Sequence, residues 1–393
     1  FKRRNGDTAV PTADLMVAKS AYAIVVDAGS SGTRVRIFSV ARAAPTYING
    51  TTTSLPKLAE LAPPDAAVAD TLRTYRGIST LAGDPPAAAR LVLELLAAAA
   101  ATLPNDAIST TPAYVMATGG VRLLPPGQST ALPDALRGGA AQPGACAFDF
   151  RGARTLSGRE EAFYGWLSAS LLDGALETEA GAAGCHGCEK IGWLDLGGAS
   201  AQLAHVVAEH TEAEILLADA LTTLELPGGR RVRVFAHSHN RLGKLQAFKR
   251  SCRFLAKHAS PNGSVLRHPC LLAGDALSLD YSPDGGGEPV TVRGTGRGAT
   301  CAELVRYMFD AQPDPTECAG PRCGLPLPHE DHYYAAGYYY YLAVHLGLAR
   351  ENARALAQSH VPSEQRAINA EFERFNVTVA QYERAGLRLC AET

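Results

Sequence analysis

Asp27-Ala28-Gly29-Ser30-Ser31-Gly32-Thr33-Arg34 closes a short β-rich run over residues 21–27 and opens an alternating apolar stretch over residues 35–40. Apolar β-formers on both sides of a Gly/Ser cluster predict a strand, a tight turn and a second strand. The arrangement returns further along the chain. Residues 191–196 read as a strand, Gly197-Gly198-Ala199-Ser200 as its turn, and alternation resumes as far as Val207. Between the two, residues 114–117 predict a strand ending at Thr118-Gly119-Gly120, and Pro85-Pro86 leads into a helix over residues 87–101. Ser157 precedes a helix carrying Glu160, Glu161, Tyr164, Trp166 and Leu167, with the Ser157/Glu160 spacing of a capping box. A strand-and-turn unit repeated across helical segments predicts an α/β chain of two similar lobes that face one cleft. The boundaries read as an extension over 1–21, a first lobe over 22–154 and a second over 155–393. Three further stretches complete the reading: residues 125–144 as a surface loop, 281–298 as a Gly-rich loop, and 333–348 as a helix rich in aromatics.

Size supports two lobes, because 393 residues exceed what one hydrophobic core usually holds. With 46% hydrophobic and 19% charged residues the chain is globular rather than fibrous or disordered. A formal charge of −2 supplies no electrostatic footprint for nucleic acid or an anionic membrane, so an anionic ligand must be held by local groups. The most apolar stretch, residues 91–103, is interrupted by Glu94 and falls short of the roughly 20 apolar residues of a membrane span, so none is expected. The chain begins at Phe1 with no signal-peptide core, which is compatible with a leader or anchor outside this numbering. Nine cysteines and three acceptor sequons, at Asn49, Asn262 and Asn376, point to a secreted or lumenal glycoprotein. Nine is odd, so at least one thiol is unpaired or pairs outside the chain. Cys185 and Cys188 have half the spacing of a zinc site with no second pair nearby, which leaves a local disulfide or two thiols.

The two turns carry the chemistry. Glycine lets backbone N–H groups approach phosphate oxygens, and Ser or Thr hydroxyls add donors. Each turn follows an aspartate, Asp27 or Asp195, placed where it can reach a hydrated Mg²⁺ or Ca²⁺ on the same phosphates. Glu161 near a helix N-terminus suits a general base, although a solvated helix face is the plainer reading, and Glu160 competes for the position while fitting the capping role better. Arg34 and Arg122 either neutralise phosphate charge or pair with neighbouring carboxylates. Four consecutive tyrosines, Tyr338 to Tyr341, cannot all point inward on a helix, so at least one ring is left to a cleft or to solvent.

Residues 27–34, Ala117-Thr118-Gly119-Gly120-Val121-Arg122, Ser157-Gly158-Arg159-Glu160-Glu161 and residues 195–202 resemble, in order, the first four conserved regions of the apyrase family, the nucleoside triphosphate diphosphohydrolases and nucleoside diphosphatases. The stretch around Tyr338 resembles the fifth. The resemblance implies an actin-like (RNase H-like) fold of two lobes, with mixed sheets flanked by helices and an active site in the cleft between them. It also implies metal-dependent hydrolysis of the terminal phosphate of nucleoside tri- or diphosphates by direct attack of water. Carried onto this sequence, it makes Glu161 the general base and gives Ser200 and Gln202 the attacking water. Asp27 and Asp195 hold Mg²⁺ or Ca²⁺ through its waters, and Ser30, Ser31, Gly32, Thr33, Thr118, Gly197, Gly198 and Ala199 contact phosphate. Tyr340 is the candidate for stacking on the base, which needs only a ring face. Cys270 and Cys301 lie at family-like positions and Cys318 and Cys323 form a C-x₄-C pair, so two disulfides are expected, the first worth about 3–4 kcal/mol by loop closure. Ala162, Gly120-Val121 and Ala201 depart from the family pattern without removing a catalytic group. The triplet Gly32-Thr33-Arg34 resembles the soluble lumenal and plant branches, a pointer to nucleoside diphosphates and to an extracellular, Golgi or ER-lumen setting. Family members continue past the equivalent of Cys390 into a segment that completes the first lobe, whereas this sequence stops at Thr393. The competing readings are an exopolyphosphatase or sugar kinase of the same superfamily, and a non-catalytic nucleotide-binding protein.

Overall fold

A computed structural model describes residues 21–41, 47–48, 51–52, 57–176, 191–208, 221–226, 230–259, 265–279, 290–310, 332–346 and 348. The chain divides into two compact units, Phe1–Ser157 with Leu226–Arg230, and Gly158–Glu225 with Arg231–Thr393. Both are mixed α/β, the class the sequence predicts.

In the first unit, β1 (Tyr22–Ala28) and β2 (Thr33–Ala41) form an antiparallel hairpin, β3 (Lys57–Glu60) lies beyond β2, and β4 (Pro112–Ala117) and β5 (Asp149–Thr155) follow β1 on its other side. β4 runs parallel to β1 and β5 parallel to β4. Period-2 alternation sends Ile24, Val26 and Ala28 into the core with Val35 and Ile37 of β2, and turns Asp27, Arg34 and Arg36 to the opposite face. Helix α1 (Pro85–Ala99) starts two residues before the expected residue 87. Asp84 caps it by accepting from Ala87 N–H, and prolines fill the first two positions, where no N–H is needed. Its row Ala88, Val92, Leu95, Leu96 and Ala99 packs into the core, each large side chain contributing roughly 1.5–3 kcal/mol by burial. Extended by one 3₁₀ turn, residues Pro85–Thr102 are long and apolar enough to cross a membrane by length and composition, and a third of the segment is buried in the fold. Counting from residue 91 left out that first Ala-rich turn.

Past the short helix α2 (Gly119–Arg122) comes α3 (Pro126–Ala140), where a loop was expected. Composition misled here, since Pro126 sits in the helix's first turn. Leu132 and Leu136, at i and i+4, are buried against the core and outweigh the cost of Pro133 within the helix. Facing the β1–β2 turn is Gly77, where a Cβ would stand 2.3 Å from Ser30 O and 2.8 Å from Gly29 O. Only a residue without a side chain lets these two backbones meet.

The second unit begins with α4 (Gly158–Leu172). Its main sheet is ordered β8–β9–β7–β6–β13, from β6 (Ile191–Leu196), β7 (Ser200–Val206), β8 (Leu221–Leu226), β9 (Arg230–Asn240) and β13 (His332–Gly337). β7 is antiparallel to β6 and to β9, and β13 is parallel to β6. The stretch expected to be one helix over 333–348 is therefore a strand that turns at Gly337, at φ 65°, into the helix α7 (Tyr338–His345). Pairing along β6 imposes the strand. Between β9 and α7 lie α5 (Lys244–Ala259), a small sheet of β10 (Val265–His268), β12 (Val290–Gly294) and β11 (Ala276–Leu279) in the order β10–β12–β11, and α6 (Gly298–Asp310). β12 falls inside the expected Gly-rich loop. Its Val292 is fully buried with Leu266 and Cys252, which holds the strand in place.

Cys270 and Cys301 are joined by a disulfide, while Cys146 and Cys252 are thiols. Cys185, Cys188, Cys318, Cys323 and Cys390, the sequon asparagines Asn49, Asn262 and Asn376, and the extension over 1–20 lie outside the described residues.

His268, at the end of β10, is 1% exposed. Its Nδ1 accepts from Cys270 N–H at 3.1 Å, so Nε2 carries the proton and donates to Ser251 Oγ at 2.7 Å, which in turn donates to Phe248 O at 2.7 Å. Burial pushes its pKa down to about 4 from 6.5. His239 is lowered to about 4 as well, by burial and by the neighbouring His237. Below the ordinary histidine pKa the unfolded chain binds protons that these native rings refuse, so the stability present above about pH 6.5 drains away as pH falls towards 4. The urea midpoint of the second unit is expected to drop across that window, less steeply in His268→Gln. A midpoint equally steep in both proteins would contradict the assignment to His268. In the first unit, Gly77→Ala is expected to lower stability by about 1–3 kcal/mol, the usual size of forced overpacking, and unchanged denaturation would show that the loop yields freely.

Candidate functional site

The first unit's turn sits at the C-terminal end of β1 and beside that of β4. Register pairs Asp27 with Arg34 and Ala28 with Thr33, and Ala28 O accepts from Thr118 N–H at 3.3 Å, which draws the Thr118-Gly119-Gly120 turn alongside. Among the described residues, no backbone carbonyl outside the strand ladders takes the N–H of Gly29, Ser30, Ser31 or Gly32. The turn thus keeps its donors for something else. Thr33 is fully buried and its hydroxyl donates to Arg76 O at 3.2 Å, leaving its backbone as the part it can offer a ligand.

Asp27 stands on the face away from the core, its carboxylate 4.0 Å from Arg34 Nη1. Loss of solvent around the carboxyl raises its pKa, and the charges of Arg34 and Arg36 pull the other way. The side chain nevertheless keeps 46% of its surface, so it is partly open to solvent rather than part of the core. A partly exposed pair at 4.0 Å contributes about 1 kcal/mol at most, and Arg36 is itself engaged with Glu60 at 2.7 Å. Arg122 Nη1 donates to a backbone carbonyl, Leu156 O, at 3.1 Å and ties α2 to the end of β5.

The second unit builds its turn the same way from other parts. Gly197 N–H donates to Ser200 O at 3.0 Å, closing the hairpin. From behind, the N-terminus of α5 supplies Lys244 N–H to Gly197 O at 2.9 Å and Leu245 N–H to Gly198 O at 3.0 Å. Helix donors that have no partner within the helix are satisfied by the carbonyls of the turn. Among the described residues no backbone carbonyl takes the N–H of Gly198 or Ala199 outside the ladders, so the turn presents N–H groups on its other side.

Cross-strand pairing places Asp195 opposite Gln202, Gln202 opposite Ser238, and Ser200 opposite Asn240. Asp195, Ser200, Gln202 and Ser238 therefore share one face of the sheet, while His205, His237 and His239 share the other. Ser200 and Gln202 are each 3% exposed. Gln202 Nε2 donates to Ser200 Oγ at 2.7 Å and to Ser238 Oγ at 2.9 Å, while its Oε1 is buried and accepts nothing among the described residues.

Helix α4 lies over that face. A Cβ on Gly165 would stand 2.1 Å from the indole nitrogen of Trp193, two residues before Asp195 on the same side of β6, and Trp166 Nε1 donates to Ile191 O at 2.9 Å. Glu161 precedes Gly165 by four residues, so it projects from the side of the helix that meets the sheet, whereas Glu160 is turned about 100° away. Arg159 anchors the start of the helix through Thr222 Oγ1, at 3.0 Å, and Leu221 O, and burial lowers its pKa.

At the top of β13, Tyr339 has a raised pKa, first from burial and then from the charge of Asp195. Tyr341 is 58% exposed, as four consecutive tyrosines require, and Tyr340 meets it edge to face at 5.5 Å. Two residues escaped the reading of the sequence. Ser238 is buried in an ordinary strand motif, and Lys244 opens a helix, where a positive charge opposes the dipole. The Lys244 ammonium lies 4.3 Å from the Tyr338 ring centre. A cation at the wrong end of a helix was the one available signal for it.

Ectonucleoside triphosphate diphosphohydrolase 3 of Homo sapiens is 29% identical over 344 residues, covering 81% of this chain and 60% of the relative. Ectonucleoside triphosphate diphosphohydrolase 8 of Bos taurus is 30% identical over 284 residues, 67% of this chain and 55% of the relative. The chain thus spans little more than half the length of these curated relatives. Among solved structures, a nucleoside triphosphate hydrolase from Neospora caninum aligns with a TM-score of 0.47 at 18% identity over 83% of this chain and 65% of its own. Residues 15–387 match the model of the GDA1/CD39 (nucleoside phosphatase) family, and the chain belongs to that family.

Proposed function

We propose that this chain hydrolyses the terminal phosphoanhydride of nucleoside tri- and diphosphates by direct attack of water. The observation that carries the reading is the pair of strand-end turns, Gly29 to Gly32 and Gly197 to Ala199, with N–H groups uncommitted to the backbone and an aspartate leading into each. Phosphoryl transfer asks for positioning and charge neutralisation more than covalent chemistry, and backbone donors fixed before the ligand arrives provide both.

In this reading Ser30, Ser31, Gly32, Thr33 and Thr118 of the first unit and Gly197, Gly198 and Ala199 of the second hold phosphate oxygens. Glu161 accepts the proton of the attacking water as its oxygen bonds to the terminal phosphorus. The bridging P–O bond breaks, and the shortened nucleotide leaves with that oxygen. Ser200 and Gln202 orient the water, and Tyr340 offers a ring face to the base. Ser200 is not itself the nucleophile in this reading, because the motif from Gly197 to Gln202 offers no His or Lys to activate its hydroxyl.

The residues present suit a divalent cation held through its own waters. Among the described residues no cluster of three or more His, Cys, Asp or Glu is built to ligate a metal directly. Mg²⁺ keeps much of its hydration shell and binds through one or two carboxylates plus substrate phosphates, and Ca²⁺ takes the same oxygen donors. Asp27, with only a 4.0 Å contact to Arg34, and Asp195, close enough to Tyr339 to perturb it, are those carboxylates. When bound, the cation offsets charge on the phosphates. The disulfide and the family's ectoenzymes favour an extracellular or secretory-pathway setting.

Phosphate release from ATP, ADP, GDP, UDP and inorganic polyphosphate, each with and without EDTA, tests the proposal. Release from nucleotides that stops in chelator is expected, and activity confined to polyphosphate, or undiminished in EDTA, would overturn it. Glu161→Gln is expected to bind nucleotide normally and turn over about 10²- to 10⁴-fold more slowly, the size of general-base catalysis. Glu160→Gln should stay close to wild type, and a reversal of the two variants would move the base to Glu160.

A further inference from the structure

We propose that Ser238 is the positioning residue for the water-orienting amide of Gln202, an inference that rests on the hydrolytic reading above. A side-chain amide has two N–H donors and one acceptor oxygen, and it can be turned over with little change of shape. In a 3% exposed side chain the orientation is set by whatever takes the two N–H groups. Ser200 Oγ takes one at 2.7 Å and Ser238 Oγ the other at 2.9 Å. With both donors spent, the buried Oε1 is the only polar atom of Gln202 left to meet a ligand, and it accepts from no group among the described residues. A buried acceptor calls for a donor. Water supplies one: one of its O–H groups donates a hydrogen bond to Oε1, and the other faces Glu161, on the helix face that meets this side of the sheet, which takes that proton.

Ser238 reaches this role through strand register. It lies on β9 directly opposite Gln202 on β7, and directly opposed side chains on one face of an antiparallel pair touch. Removing its hydroxyl leaves the amide one anchor. The turned-over amide would point N–H at the water, and both would be donors. Because Ser238 acts on the water and not on the nucleotide, the effect falls on kcat and leaves KM alone.

The test compares Ser238→Ala, Ser238→Thr, Gln202→Ala and the double variant Ser238→Ala/Gln202→Ala in steady-state hydrolysis, with thermal melting as a control for folding. Ser238→Ala is expected to lower kcat about ten-fold, the value of one net hydrogen bond, with KM little changed. Thr, which keeps the hydroxyl and suits a strand, restores turnover, and the double variant is no slower than Gln202→Ala. Wild-type turnover in Ser238→Ala, or losses that multiply in the double variant, would overturn the proposal. A second readout needs no activity: the Gln202 amide protons, identified in nitrogen-15 spectra by their loss in Gln202→Ala, exchange faster with solvent when Ser238 is Ala. Unchanged exchange sinks the positioning role, whereas a wild-type chain that hydrolyses no nucleotide sinks the hydrolytic reading and leaves the amide measurement to judge Ser238.

Discussion

A turn of the backbone can bind an anion when its carbonyl oxygens are directed away from it, since each residue that offers an N–H also brings a C=O of opposite sign. The second unit meets this constraint by hydrogen bonds from behind the turn, and the first by close packing there. In the second, the first N–H groups of α5 take Gly197 O and Gly198 O. In the first, Thr118 N–H takes Ala28 O, and the bare Cα of Gly77 closes over Ser30 O and Gly29 O. The starting point of α5, the glycine at 77 and the docking of Thr118 at the end of β4 together shape the backs of the two turns.

The strands on either side of the turns then divide the work by alternation. On β1 and β2 the buried set is Ile24, Val26, Val35 and Ile37, and the charged set is Asp27, Arg34 and Arg36. On β7 and β9 the polar set Ser200, Gln202 and Ser238 faces α4, while His205, Phe235, His237 and His239 stack along the other side, with His205 5.4 Å from Phe235 and His237 4.6 Å from His239. A slip of one residue would exchange these sets and bury the charges. The cost of that exchange fixes the register, so the packing that stabilises the sheets also aims Asp27 and Gln202.

What the sequence made legible was local. Alternation broken by a Gly/Ser turn identified both hairpins, and resemblance supplied the Cys270–Cys301 pairing that the structure contains. Misreadings arose where composition and tertiary context disagreed. Prolines and glycines between residues 125 and 144 read as loop, yet Pro126 occupies a helix position that needs no N–H, and Leu132 and Leu136 are drawn into the core. Residues 332–337 form a strand because β6 offers a parallel edge, which no window of sequence displays. Ser238 was invisible for the same reason. Its hydrogen-bond partner Gln202 is 36 residues away, and only the register of β7 against β9 brings them together.

The departures from the family pattern fall on side chains that face away from the polar set of the sheet or pack into a core. Ala201 stands between Ser200 and Gln202 in sequence but opposite His239 and Leu196 across the strands, so its side chain points to the histidine face, away from the Ser200, Gln202 and Ser238 side chains. Ala162 follows Glu161 and is fully buried, its methyl filling core between α4 and the sheet, where alanine also favours the helix by about 1 kcal/mol over glycine. Val121 is 1% exposed and packs with the core of the first unit, leaving Thr118 and the N–H groups of the turn before it untouched. A polar-to-apolar change at Ser200 or Ser238 would be of another kind, because it would strip from the buried Gln202 amide one of the two hydroxyls that take its N–H groups.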